Sequence, residues 1–332
     1  MVGYVHRLSG LRAVVARCKE WLGTANFSSL CPALRRASSL AFVRRLVESL
    51  QTRHCPRKEE LVGLDGMALS LAKTRRHRCR KMNSNTVGGG VVWAYAIQAR
   101  KGLCPVRVLK VIEGAWHDTV VMRTVDLISR GPVYVMDRGF YALDLLERWL
   151  KDQVHFVIRA RSRSLVYTVQ SHISRPRRVG NIGVVLDAWV VLGGSQATHH
   201  PRVRLIEAIL ASGERLVLVS DRGAWSTERI LDAYKKRWHI ERFHRLLKDT
   251  LGLAHLYSFE QKGITFLLYT ALLLALLLLL GATDTTGETI ALLHKALRAV
   301  RSALGLGTPW KRNSCSLSRK GKRKVAGMAG NH

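Results

Sequence analysis

"PVYVMDRGFYALDLLERWLKDQVHFVIRA", residues 132–160, decides the fold class of this 332-residue chain. "VYVM" is a continuous apolar run of strand length that stops at Asp137. "LDLLERWLKD" then carries its apolar residues at helical spacing, and "VHFVIRA" reads as a second strand. On the N-terminal side, "LVGLDGMALSLA" (61–72) alternates like a strand. "GGGVVWAYAIQA" (88–99) and "PVRVLKVIEGA" (105–115) follow across turn-like gaps, and "DTVVMRTVDLIS" (118–129) has helical spacing. Three opening strands followed by alternating helices and strands predict an α/β fold built on a mixed sheet.

Further out the pattern changes. Residues 163–220 hold strand-like pieces such as "GVVLDAWVVLGG" and "RLVLVS", joined by basic loops such as "SRPRRVG". They read as a β-rich insertion into the α/β unit. Ser226 is placed to cap a helix beginning "TERILDAYKKRWHIERFHRLLK", which meets no Gly or Pro and is expected to run unbroken to about Thr250. Residues 1–58 read as a small basic helical region, with "LCPALRRASSLAFVRRLVESL" at helical spacing. The divisions are therefore 1–58, 59–162, 163–220, 221–282 and 283–332, the last a helix and a polar, basic tail.

Charge narrows the partner. With 54 Lys and Arg against 23 Asp and Glu, the formal charge is +31, and the excess runs along the whole chain. Such a chain suits a polyanion: double-stranded nucleic acid first, an acidic membrane second. The six cysteines form no C-x-x-C pair and no regular spacing, which excludes a zinc ribbon or disulfide framework and fits a reducing, cytoplasmic setting. Arg7, Arg12, Arg17 and Lys19 at the start, without an acid, lack the apolar core and cleavage site of a signal peptide.

The apolar run "ITFLLYTALLLALLLLL" (264–280) raises the membrane question. At ~1.5 Å per residue it reaches only ~26 Å, short of a ~30 Å hydrocarbon core. Asp284 and Glu288 follow it closely, and a buried core helix is the better reading.

Three carboxylates stand out against this basic background. Asp65 is the sole acid between Glu60 and Glu113, Asp137 ends an apolar strand, and Glu241 sits in "YKKRWHIERFHRLLKD" (234–249) among Lys and Arg. At ~100° per residue, Tyr234, Arg237, Glu241, Arg245 and Lys248 share one stripe, while Ile240, Phe243 and Leu247 form the opposite, apolar one. A pairing of Glu241 with Arg237 or Arg245 at i±4 would explain that residue alone. It does not explain Asp in a strand, where burial requires a metal or a cation. If the first and fourth strands are neighbours, Asp65 and Asp137 converge, and the later helix can add Glu241. Such an oxygen site suits Mg²⁺, with Mn²⁺ as a substitute, and phosphodiester chemistry.

These motifs have a family resemblance. "LDG" at Asp65, "DRGF" at Asp137 and Y-x2-R-x3-E-x6-K at Tyr234, Arg237, Glu241 and Lys248 resemble the DDE transposases of bacterial insertion sequences, in the family numbered four. "WHD" (116–118) and "IERFHRLLKDTLGL" (240–253) also resemble it, over roughly residues 60–280. The resemblance implies a ribonuclease-H-like core, Asp65, Asp137 and Glu241 as catalytic metal ligands, and metal-dependent cutting at transposon ends with strand transfer into target DNA. It further implies that Tyr234, Arg237, Arg245, Lys248 and Arg138 hold DNA, that the chain acts as a homodimer on two ends, and that it associates with the bacterial nucleoid when bound to DNA. A DNA-binding relative that has lost catalysis is the alternative.

Two departures qualify the match. Only 64 residues precede Asp65, so the N-terminal DNA-binding region is expected to be reduced. A second "DRG" at Asp221 competes with Asp137 as second ligand, although it lacks the following aromatic. Trp189, Trp225 and Trp238 are candidates to stack on a flipped base. The basic loop "KTRRHRCRKMN" (73–83) could contact DNA backbone, and His199 and His200 are a weak metal pair.

Overall fold

A computed structural model describes residues 36–54, 61–70, 81–83, 86–97, 104–112, 117–124, 128–161, 165–173, 175–250 and 261–281, with positions 32 and 253. The fold grows from β1 (Leu61–Ser70), β2 (Lys81–Asn83), β3 (Thr86–Ile97) and β4 (Cys104–Ile112), then α1 (Ala37–His54) before them and α2 (Asp118–Thr124) after. The stretch that opened the reading forms β5 (Val133–Met136), α3 (Leu143–Lys151) and β6 (His155–Arg159). All four residues of β5 are buried, as a strand covered by helices on both faces requires.

β3 pairs antiparallel with β1 and with β4, whereas β5 lies parallel to both β1 and β6. The five strands therefore run β4-β3-β1-β5-β6 across the sheet. Two apolar layers flank them. On one face Leu64, Met136, Phe156 and Ile158 meet Met122 of α2 and Leu145, Leu146 and Trp149 of α3. On the other face Leu61, Val135 and Val157 meet Trp225, Ile230, Leu231 and Tyr234.

Beyond β6 come β7 (Tyr167–His172), β8 (Arg178–Val179), β9 (Ile182–Leu192), β10 (Arg202–Ile209) and β11 (Arg215–Ser220). These strands do not fold into a separate layer. β11 pairs antiparallel with β6, β10 with β11, β9 with β10 and β7 with β9, so they continue the same sheet.

Ser226 caps the next helix as its sequence predicts: its side chain accepts from the Arg229 N–H at 3.2 Å. Ser226→Ala should cost about 1 kcal/mol of unfolding free energy in a denaturant titration. The expected unbroken helix is corrected here. It is α4 (Thr227–Lys235), α5 (Trp238–Arg245) and a π turn over Leu246–Thr250. Arg237, His239 and Ile240 each donate to the carbonyl three residues back, at 3.0, 3.1 and 2.9 Å, and these tighter turns kink the chain between α4 and α5. The wide turn after Arg245 shifts Lys248 again, so a single uniform wheel does not describe the stripe.

The leucine-rich run forms α6 (Gln261–Gly281), with Leu268, Ala271, Leu272 and Ala275 buried. It packs against α1, whose Val43 and Val47 are buried and whose Arg44 lies 5.2 Å from the Tyr269 ring. Among the described residues no helix is long and apolar enough to cross a membrane. Apart from α1 and position 32, the N-terminal region lies outside the described residues, as do the C-terminal tail and most of the basic loop at 73–83.

Candidate active site

The register of the parallel pair places the two aspartates. Leu64 of β1 pairs with Met136 of β5, so Asp65 and Asp137 are the next residues along neighbouring strands, which lie ~4.8 Å apart. Asp137 is at the carboxyl end of β5, where open α/β sheets present their ligand sites. There the chain leaves the strand through a 3₁₀ turn, Arg138–Phe140, closed by the Phe140 N–H on the Asp137 carbonyl at 3.1 Å. Phe140 is fully buried and anchors the turn, which gives the aromatic of "DRGF" its purpose. The carboxylate of Asp137 makes no capping bond and stays available.

Asp65 is partly covered, its side chain 22% exposed. Its Oδ1 accepts from the Gly66 N–H at 2.9 Å. Burial pushes its carboxyl up to about 7; Arg237 pulls it down, and the nearby Asp118 and Asp137 push it up further. His244 Nδ1 lies 3.7 Å from Asp65 Oδ2. Burial, then Lys248, depresses His244 to about 3, so at neutral pH this imidazole is uncharged and no counter-ion.

Asp118, from the "WHD" motif, was not among the expected site residues. It starts α2, close to Gly66 within β1 and to Gly139 of the turn after β5. A Cβ added to Gly66 would lie 2.8 Å from its Oδ1, and one added to Gly139 would lie 2.5 Å from its Oδ2. Burial raises its carboxyl; His117 opposes this and Asp137 adds to it. The missed signal was an acid in a family-like motif directly before a helix, for which periodicity assigns no place in the sheet.

Glu241 reaches the group indirectly. On α5, it accepts from Arg237 Nη2 at 2.8 Å. Arg237 is buried beside the Tyr234 ring, with its guanidinium 5.6 Å from the centroid. Burial alone would lower its pKa, but Tyr234, Glu241 and Asp137 together hold it above its usual value. Arg237 is thus the cation between the aspartate pair and the glutamate. Among the described residues no three His, Cys, Asp or Glu side chains are drawn together tightly enough to hold a metal ion.

The phosphate-holding candidates divide by exposure. Arg138 and Arg245 are exposed, Lys248 is half-buried on the π turn, and Tyr234 and Arg237 are buried. Trp238 is 59% exposed beside Arg237, whereas Trp225 is buried beneath Arg222 and Arg229 and is not open to a base. Arg202 lies over Trp189. His199 is bound to Glu147 at 2.5 Å rather than paired with His200 around a metal.

Asp221, the competing "DRG" aspartate, lies elsewhere. Its carboxylate accepts from the Phe156 N–H at 2.8 Å and meets His155 Nδ1 at 2.6 Å. Those residues begin β6, whereas Asp137 lies beyond the rung that pairs Met136 with Ile158.

The chain is basic, with Asp65 within β1 beside Asp137 at the carboxyl end of the parallel β5. The chain belongs to the Transposase DDE domain family, whose sequence model matches residues 70–278. That match includes Asp137 and Glu241 and begins just after Asp65. The chain is 27% identical over 165 residues to a protein of Geobacillus stearothermophilus named as transposase for insertion sequence element IS5377, covering 50% of this chain and 43% of that one. It is 28% identical over 181 residues to one of Synechocystis sp. named as transposase for insertion sequence element IS4SA, covering 53% and 50%. The matches span about half the length of these curated relatives.

Proposed function

We propose that this protein is a metal-dependent transposase that cleaves DNA at transposon ends and transfers the freed strand into target DNA, on a ribonuclease-H-like core extended by the sheet-continuing insertion. The observation that carries this reading is the side-by-side placement of Asp65 and Asp137 at neighbouring positions of parallel β1 and β5. The strand order β4-β3-β1-β5-β6 and the family match support it.

Asp65 and Asp137 offer carboxylate oxygens, the donor type a hard divalent cation takes, while a third ligand would have to be brought to them. Burial is the main cause of the raised Asp65 carboxyl, with Arg237 opposing it and the nearby Asp118 and Asp137 adding to it. Asp65 and Asp137 would hold Mg²⁺ or Mn²⁺, joined by Glu241 once Arg237 releases it. When bound, such ions make water or a 3′-hydroxyl nucleophilic and stabilise the leaving oxygen of a phosphodiester.

The chain's own residues supply the rest. Arg237 is a bidentate donor suited to phosphate; exchanging Glu241 for a DNA phosphate would free the carboxylate as substrate arrives. Arg138, Arg245 and Lys248 extend the cationic surface along the backbone, and exposed Trp238 offers a stacking face. Two transposon ends brought together imply two copies of the chain on DNA, working in the cytoplasm at the nucleoid.

The test compares aspartates. Asp137→Ala should reduce nicking of cognate end DNA in Mg²⁺ by at least a thousandfold, while Asp221→Ala should keep cleavage within a few-fold and lose only stability. Full cleavage by Asp137→Ala would remove that residue from the site.

A further inference from the structure

We propose that Arg159 is a further phosphate-holding residue of the cleavage site, and that Glu214 is the acid it releases when DNA arrives. This rests on the reading of Tyr234 and Arg237 as phosphate holders. It adds one residue from the central sheet and one from the turn before β11.

Strand register puts Arg159 beside the second aspartate. Met136 of β5 pairs with Ile158 of β6, so Asp137 and Arg159 are the next residues along these parallel neighbours. Val135 and Val157 pack in the same apolar layer as Tyr234, and side chains two residues further on return to the same face. Arg159 and Asp137 therefore share the face that α4 covers. Burial raises the Tyr234 hydroxyl pKa, Arg237 lowers it, Asp137 raises it and Arg159 lowers it, which places all three charges around one phenol.

That spot lacks an acceptor. Tyr234 and Arg237 are over nine-tenths buried, and the Tyr234 hydroxyl and Arg237 Nε have no hydrogen-bond partner among the described residues. Each nearby guanidinium holds a carboxylate of its own, Arg237 that of Glu241 and Arg159, through Nη2, that of Glu214. Glu214 is set by a tight turn: the Gly213 N–H donates to the Leu210 carbonyl at 2.8 Å and the Leu210 N–H to the Glu214 carbonyl at 2.9 Å. Its side chain is 55% exposed, so water weakens the pair. A DNA phosphate can take both guanidiniums at once and gives the orphaned donors the acceptor they lack.

The experiment measures, by fluorescence anisotropy, binding of a duplex carrying the element's terminal sequence to the full chain, without divalent cation so that cleavage does not intrude. Arg159→Gln should weaken binding about tenfold and flatten the slope of log affinity against log salt by about one, the mark of one lost phosphate contact. Arg159→Lys should recover part of both. Glu214→Gln should tighten binding about threefold, and in the Arg159→Gln background it should change nothing, because the acid acts only through that guanidinium. Glu214→Gln alters an exposed turn position and keeps the test decisive even where Arg159→Gln loses the wild-type circular dichroism. Wild-type affinity and salt slope in a folded Arg159→Gln would overturn the assignment. Equal tightening by Glu214→Gln with and without Arg159 would overturn the exchange and leave a general charge effect. Two levels of failure separate: nicking lost in Asp137→Ala while Arg159→Gln binds normally removes only Arg159, whereas weakened binding in Arg159→Gln beside a wild type that never nicks in Mg²⁺ or Mn²⁺ keeps the phosphate seat and removes the cleavage chemistry.

Discussion

Asp65→Asn should abolish cleavage, by a thousandfold or more, and at the same time stabilise the metal-free protein at pH 8. On the proposed reading, the activity loss follows from removing a metal ligand and its charge beside the reacting phosphate. The stability gain follows from linkage. The folded-state pKa of Asp65 is raised from 3.8 to about 7, so the folded protein binds this proton more tightly than the unfolded chain does. The resulting penalty is absent below the unfolded value, grows between pH 4 and 7, and is complete above 7.

At ~1.4 kcal/mol per pH unit the ceiling is roughly 4 kcal/mol. Solvent reaching the partly exposed side chain reduces this to about 1–3 kcal/mol, a few degrees in Tm. Thermal melts without metal should therefore show the variant above the wild type at pH 8 and the difference closing by pH 4. Mg²⁺ should raise the wild-type Tm and leave the variant unmoved. Equal melting at pH 8 without metal would show that the carboxylate is not strained by its setting.

The second large effect lies away from the chemistry. Arg204 and Asp187 have side chains 2% and 0% exposed, joined by two parallel bonds of 2.8 and 2.7 Å. Arg204 also donates to the carbonyls of Arg222, Gly223 and Trp225, while the Thr227 hydroxyl donates to Asp187 at 2.8 Å. β9, β10, the turn after β11 and the start of α4 are tied by this one pair.

Asp187→Ala leaves a guanidinium in the interior and should cost about 3–5 kcal/mol in chemical denaturation. Combining Asp187→Leu with Arg204→Met removes both charges and should recover most of that loss, since a buried pair offsets little more than its own desolvation. A double variant as unstable as the single one would mean that the carbonyl contacts of Arg204, not the ion pair, hold the turn.

Sequence made the sheet's centre legible because β1, β5, α3 and β6 each carry an unmixed period: alternation in 61–70, four apolar residues in 133–136, helical spacing in 143–151. It read the core role of 264–280 from length against bilayer thickness. It also indicated the apolar back of α5 and the π turn after it, where Ile240, Phe243 and Leu247 are buried. It did not show the kink at Lys236–Arg237, because no Gly or Pro marks it and the tighter hydrogen bonds have no residue signature. Arg204 looked like one more surface base, since burial of a charge depends on a partner seventeen residues away. Asp118 was visible as a letter in a motif, but its place depends on close approach to Gly66 within β1 and Gly139 in the turn after β5.

The order in which the chain supplies its acids carries a consequence for synthesis. Asp65, Asp118 and Asp137 lie on elements completed by β6, whereas Glu241 follows β7–β11 and the turn pinned by Arg204. At roughly 5–20 residues per second, a ribosome needs several seconds to make the intervening segment, during which the nascent sheet holds the aspartates without the glutamate. Placing the last acid on a helix that comes after a long excursion through the sheet edge works as a delay. On the proposed reading, a chain interrupted before α5 would keep the aspartates and its positive charge but lack Glu241, and should bind DNA without cutting it.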